Sequence, residues 1–157
     1  QTLEEVIGVA LTSRAGMLAE HAVNISLPAE LPMLYFDSIL MERVFCNLLE
    51  NAAKYTPNGS VITISAQSLG KNVEIIIEDN GPGLPAGKEE ALFAKFARGR
   101  SESTVSGVGL GLSIVRAIVE AHAGSIRAEK SSMGGARFVI SMPCGEAPEV
   151  PKEEIPC

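Results

Sequence analysis

The chain has 157 residues, 46% apolar, enough for one buried core and too short for two ordinary domains. Its net charge of −6 argues against non-specific nucleic-acid binding, which needs clustered Lys and Arg. Cys46, Cys144 and Cys157 make an odd set without a CxxC pair, so neither a disulfide framework nor a zinc site is expected, and a reducing cytoplasm is the simpler setting. No run of 18 apolar residues and no basic-then-apolar N-terminus occurs, so neither a membrane span nor a signal peptide is expected here.

Leu3, Val6, Ile7, Ala10, Leu11 and Leu18 recur at helical spacing and predict a helix from Thr2 to Glu20. Val23 to Leu27 alternates like a strand and stops at Pro28, and a short strand is expected over Met33 to Phe36. Asp37 is placed to cap a second helix that runs to Lys54 and ends at Thr56, Pro57, Asn58 and Gly59. Val61 to Ser68 and Val73 to Glu78 read as a hairpin about Gly70 to Asn72. Residues 80–107 are rich in Gly, Pro and Ser, with a short helical piece over Glu89 to Phe96. A further helix covers Leu110 to Ala123 and stops at Gly124. Ser125 to Lys130 and Ala136 to Met142 form a second hairpin about Gly134 and Gly135. The last 14 residues hold three prolines and four glutamates, so a disordered tail over 144–157 is expected, leaving a domain of residues 1–143. Six strands, four of them in two hairpins, and three main helices, without βαβ alternation, predict an α+β two-layer sandwich with helices on one face of a mixed sheet.

Three segments carry chemistry. On the second helix Arg43, Asn47, Asn51 and Lys54 share one face beside the apolar stripe of Met41, Val44, Phe45, Leu48 and Ala52. Asn is a mediocre helix former, and a neutral amide oxygen suits Mg²⁺ when phosphates supply the charge. Taken alone, the face also reads as plain solvated surface. Asp79 stands at a strand end beside Gly81 and Gly83, where a buried carboxylate needs a hydrogen-bond partner such as the adenine amino group. A tight turn explains the same residues. Gly107, Val108, Gly109, Leu110, Gly111 and Leu112 open a helix, where exposed amides and the helix dipole favour phosphate; a hinge is the alternative. The spacing is neither GxGxxG nor a Walker loop. Phe93 and Phe96 read either as helix core or as the anchor of a mobile loop that turns Lys95 or Arg98 to phosphates. His21 and His122 read as surface or packing residues.

In order, NLLENAAKY (Asn47 to Tyr55), DNGPG (Asp79 to Gly83), FAKF (Phe93 to Phe96) and GVGLGL (Gly107 to Leu112) resemble the asparagine, first glycine, phenylalanine and second glycine boxes of histidine-kinase ATP-binding domains. Gly134 to Pro143 resembles that family's closing hairpin, and the likeness runs from Thr2 to Pro143. Leu31 to Tyr55 and Phe96 to Gly99 resemble its potassium-supply branch. The resemblance implies the Bergerat fold shared with gyrase, Hsp90 and MutL, and an ATP:protein-histidine phosphotransferase. It implies that Asn51 holds Mg²⁺ with help from Asn47, that Lys54 and Tyr55 line the nucleotide site, and that Asp79 binds adenine. It further implies that Gly107 to Gly111 wrap the phosphates and that residues 85–106 form an ATP lid.

Gyrase-like ATPases place a water-activating glutamate where Asn47 stands, and Asn47 cannot take a proton. Glu50 is one residue short of Asn51 and points elsewhere. ATP should therefore be bound without efficient hydrolysis and its γ-phosphoryl kept for another acceptor. An acceptor His is normally followed by an acidic, an aliphatic and a basic residue, which neither His21 nor His122 is. The implied partners are a separate dimerisation and phosphoacceptor domain and, through the whole kinase, a response regulator. A cytoplasmic domain of an inner-membrane sensor, without membrane contact of its own, is the implied setting. A gyrase-like or chaperone-like ATPase, or a degenerate binding module, are the competing readings.

Overall fold

The computed structural model describes residues 2–82 and 108–144. Its elements are α1 (Leu3–Ser13), β1 (Ala22–Ser26), α2 (Ser38–Tyr55), β2 (Val61–Leu69), β3 (Asn72–Asp79), α3 (Val108–Ala121), β4 (Ser125–Lys130) and β5 (Ala136–Pro143). The five strands form one sheet in the order β1-β2-β3-β5-β4, with β1 parallel to β2 and every other pair antiparallel.

One face of the sheet is built by alternation. Ile64 pairs with Ile77, Ile77 with Phe138, Ile75 with Ile140, and Ile126 with Ile140. All of these are buried and belong to one cluster with Val6, Ile7 and Ala10 of α1, Met41, Val44, Phe45 and Leu48 of α2, and Leu112, Val115 and Val119 of α3. Aliphatic side chains thus do the work that few aromatics could.

The opposite face is charged. Arg127 bridges Glu74 (3.6 Å) and Glu129 (3.0 Å), and Arg137 bridges Glu129 (2.9 Å) and Glu78 (3.7 Å). On that face Ile76 and Val139, paired across β3 and β5, are nonetheless buried. Long charged side chains cover apolar surface with their stems while their heads stay in water.

Caps set the helix starts. Thr2 and Glu5 form a reciprocal capping box for α1. Asp37 Oδ1 accepts from the Leu40 amide at 3.0 Å, as its position before α2 predicts. The Asp37 amide in turn donates to His122 Nε2 (3.0 Å), and His122 Nδ1 donates to the Ile118 carbonyl (2.8 Å), so this histidine ties the end of α3 to the start of α2.

Three expectations differ. α1 stops at Ser13 rather than Glu20. Arg14 leaves helical geometry (φ −109°, ψ 18°) with its guanidinium on Glu50 at 2.7 Å, and a series of tight turns through Gly16 carries Leu18 into the core. Met33 to Phe36 is not a strand. The alternation is real, with Leu34 and Phe36 leaning on the core and Met33 and Tyr35 exposed, but the segment pairs with no strand among the described residues. Five strands, not six, therefore stand among those residues. The expected piece over Glu89 to Phe96 lies outside them, as does the tail beyond Cys144. Among the described residues no helix is long and apolar enough to cross a membrane.

The stop of α3 also divides differently from the sequence expectation. The left-handed residue is Ala123 (φ 63°), while Gly124 answers a space requirement: a Cβ there would lie 2.5 Å from the Ser141 carbonyl oxygen and 3.0 Å from Met142 Sδ. Gly124→Ala should therefore lose about 1–3 kcal/mol through overpacking against β5. Ala123→Gly should gain up to about 1 kcal/mol by relieving the left-handed alanine. Urea unfolding of the two variants checks both signs.

Candidate functional site

The end of β3 carries a buried, closely packed carboxylate. Asp79 closes the alternation Val73, Ile75, Ile77, Asp79, so its carboxylate points to the core side and is only 6% exposed. A carboxylate placed there must find donors. Oδ1 accepts from the amides of Gly81 (2.9 Å) and Ala136 (3.2 Å). Among the described residues no hydrogen bond reaches Oδ2. Asn80 braces the turn from the other side, its Oδ1 accepting from the Val61 amide at 2.8 Å.

Two glycines make room for this arrangement. A Cβ on Gly135 would fall on Asp79 Oδ1, Asp79 O and the Gly81 amide together. A Cβ on Gly81 would stand 2.7 Å from Thr56 Cγ2 and 3.3 Å from Asp79 Oδ1. Gly134 takes the left-handed turn (φ 104°), so the two hairpin glycines have different duties. The sequence marks Gly134 and Gly135 only as a turn. Thr56, Gly135 and Ala136 are site-building residues that sequence reasoning missed. The adjacent glycine pair was the available signal, since one glycine suffices for a turn.

The second wall is α2. Asn47 and Asn51 are half-buried and Lys54 is exposed, all on the polar stripe beside the core positions Leu48 and Ala52. Gly111 of α3 faces this stripe: a Cβ on it would lie 3.9 Å from Asn47 Cγ. The start of α3 and the asparagine face, distant in sequence, therefore meet. Leu112 is turned into the core at 2% exposure, which leaves its side chain no part in a site. Of Tyr55, Val108, Gly109 and Leu110 the backbone is helical, while Gly83, Lys95, Arg98 and Gly107 lie outside the described residues, as do Phe93, Phe96 and the lid expected over 85–106.

Beyond Asn47 the stripe borders a pocket of about 310 Å³ lined by Ser13, Arg14, Ile39, Glu42, Arg43, Cys46 and Asn47. Burial pushes the Cys46 thiol up, against the pull of Arg14, so it is a poor nucleophile at neutral pH. No group of three or more His, Cys, Asp or Glu that could hold a metal stands together among the described residues. A divalent cation here would draw on amide oxygens, ligand phosphates and water, a set that suits Mg²⁺.

Residues 36–146 match the family model described as histidine kinase-, DNA gyrase B-, and HSP90-like ATPase. The sensor protein KdpD of Escherichia coli (strain K12) is 49% identical over 149 residues, which are 95% of this chain and 17% of that protein. The chain thus spans 17% of the length of this curated relative. Among solved structures, the mycobacterial sensor histidine kinase MprB aligns with a TM-score of 0.79 at 26% identity, covering 94% of this chain and 97% of that one. The nucleotide-free catalytic domain of the histidine kinase ThkA aligns with a TM-score of 0.80 at 25% identity, covering 92% and 93%.

Gly135→Ala is expected to cost about 1–3 kcal/mol, because backbone atoms of Asp79 and Gly81 cannot withdraw as a flexible side chain would. Urea unfolding measures it, and an unchanged midpoint would contradict the contact between Gly135 and Asp79.

Proposed function

Because the chain belongs to the histidine kinase-, DNA gyrase B- and HSP90-like ATPase family, as the ATP-binding domain of a KdpD-like sensor kinase, we propose that it binds Mg·ATP and donates the γ-phosphoryl to a histidine on a separate dimerisation and phosphoacceptor domain. The buried Asp79, with one oxygen fixed by two amides and the other left to a ligand, carries this reading. An acceptor oxygen in a dry setting suits the amino group of adenine.

The phosphates then run along α2 toward Asn47. Asn51, with help from Asn47, would hold Mg²⁺, and the ion would supply charge neutralisation to the phosphates. Lys54 and Tyr55 line the site, and Gly81 and Gly83 let the base approach the backbone. The amides of Gly107, Val108, Gly109 and Leu110, which the start of α3 leaves without helical partners, receive phosphate oxygens, and Gly111 and Leu112 complete the turn that presents them. Lys95 and Arg98 add positive charge from the lid. Asn47 brings an amide where a hydrolytic enzyme would need a base, so water is not activated and the phosphoryl group is kept for an imidazole. Glu50, the residue before Asn51 on α2, is paired with Arg14 at 2.7 Å, which disfavours its recruitment as a base.

The domain is residues 1–143, with 144–157 as a tail. In the whole kinase it is cytoplasmic, part of an inner-membrane sensor concerned with potassium supply, and passes its signal to a response regulator.

Adenine nucleotides should bind and guanine nucleotides should not, since guanine presents a carbonyl where adenine presents its amino group. Two facing acceptors cost about 1–3 kcal/mol, or roughly 5- to 150-fold in affinity. Calorimetric titration with ATP and GTP in Mg²⁺ checks this, and equal affinities would refute the role of Asp79. The isolated chain should also bind ATP without labelling itself, and label a phosphoacceptor domain supplied in trans. Without tethering, which can provide effective concentrations of about millimolar, labelling should be slow and rise with acceptor concentration. γ-Labelled ATP with the chain alone, with acceptor, and with acceptor carrying His→Gln gives the answer; strong self-labelling would overturn the transfer reading.

A further inference from the structure

Thr56 is the residue after α2 and the one before Pro57. A residue before proline is held out of helical geometry, and Thr56 is extended at φ −124°, ψ 147°. That ends the helix and turns the threonine side chain inward, where it is only 8% exposed. Its hydroxyl donates to the Ala52 carbonyl at 2.7 Å, satisfying one of the acceptors that a helix leaves open at its end. The hydroxyl has one hydrogen and has spent it. His21 Nε2, 2.7 Å from the same oxygen, must therefore be the donor.

With the hydroxyl fixed between these two partners, the methyl group has one direction left, toward the β3 turn. Cγ2 lies so close to Gly81 that a Cβ there would be 2.7 Å away. Gly81 is the residue whose amide holds Asp79 Oδ1. A continuous chain of contacts thus runs from His21, ahead of β1, through Thr56, at the end of the asparagine helix, to Gly81 and Asp79. We infer that Thr56 is a positioning residue of the nucleotide site, its methyl seating the Asp79–Gly81 turn and His21 setting its rotamer. This rests on the reading that Asp79 receives the base.

The two halves of Thr56 can be separated. Thr56→Ser keeps the hydroxyl and removes the methyl, whereas Thr56→Val keeps the methyl and leaves Ala52 O and the His21 N–H unpaired. Titration calorimetry with Mg·ATP on the 157-residue chain, with folding verified by circular dichroism, should find Thr56→Ser folded and about tenfold weaker in binding. Thr56→Val should lower the thermal midpoint. His21→Phe should weaken ATP binding about threefold, and His21→Gln, which retains a donor, should restore it. In an Asp79→Asn background Thr56→Ser should have less than about a twofold further effect, because what it positions is already disconnected. A Thr56→Ser variant that binds like the parent while Asp79→Asn binds weakly would overturn this inference alone. An equal loss in both backgrounds would also overturn it, reducing Thr56 to general packing. Unchanged binding by Asp79→Asn would overturn the base reading and this inference with it.

Discussion

A carboxylate at the end of a central strand, on the side that faces the core, governs the architecture around it. Asp79 continues the inward alternation of three aliphatic residues, so the strand itself carries it into low-dielectric surroundings. Burial of such a group is tolerated only with hydrogen bonds. Those bonds come from backbone amides of two different elements, the turn after β3 and the start of β5. Because the donors are main-chain groups, residues near them must give up side chains, and Gly81 and Gly135 do so.

The same constraint links helix to sheet. α2 presents its core stripe to the sheet and its asparagine stripe to the start of α3, so the helix that builds the core also aligns the polar wall. Its last turn ends at Thr56, against Gly81. The two walls of the site are therefore set by one helix, and a shift of α2 along its axis would move both. Asp37 with His122 at one end and Thr56 with His21 at the other fix that axial position by hydrogen bonds.

The sheet's far face has different demands. With no helix over it among the described residues, it is kept wet by the Glu74, Glu78, Arg127, Glu129 and Arg137 network, and the apolar pair Ile76 and Val139 beneath it needs no second layer. Half-exposed ion pairs contribute little stability each. Their use here is to let one face of the sheet stand in water, with the described helices on the other.

Period-two and period-3.6 patterns are local, so the strands of both hairpins, α2 with its Asp37 cap and most of α3 were legible in the sequence. So were the motifs, because Asn47, Asn51, Asp79 and Gly111 are unusual residue types at their spacings. Local patterns cannot tell what a segment pairs with: Met33 to Phe36 alternates like a strand yet pairs with no strand among the described residues, and α1 ends where Arg14 reaches Glu50, 36 residues away. Nor can they tell why a glycine is there. Gly134 and Gly135 look alike in the sequence, but one turns the chain and the other lies under a carboxylate 56 positions earlier. The family's motifs were written in residue types and spacings. The distances between Asn47 and Gly111, Thr56 and Gly81, and Gly135 and Asp79 were decided by tertiary packing, because each joins elements whose separation depends on the whole core between them.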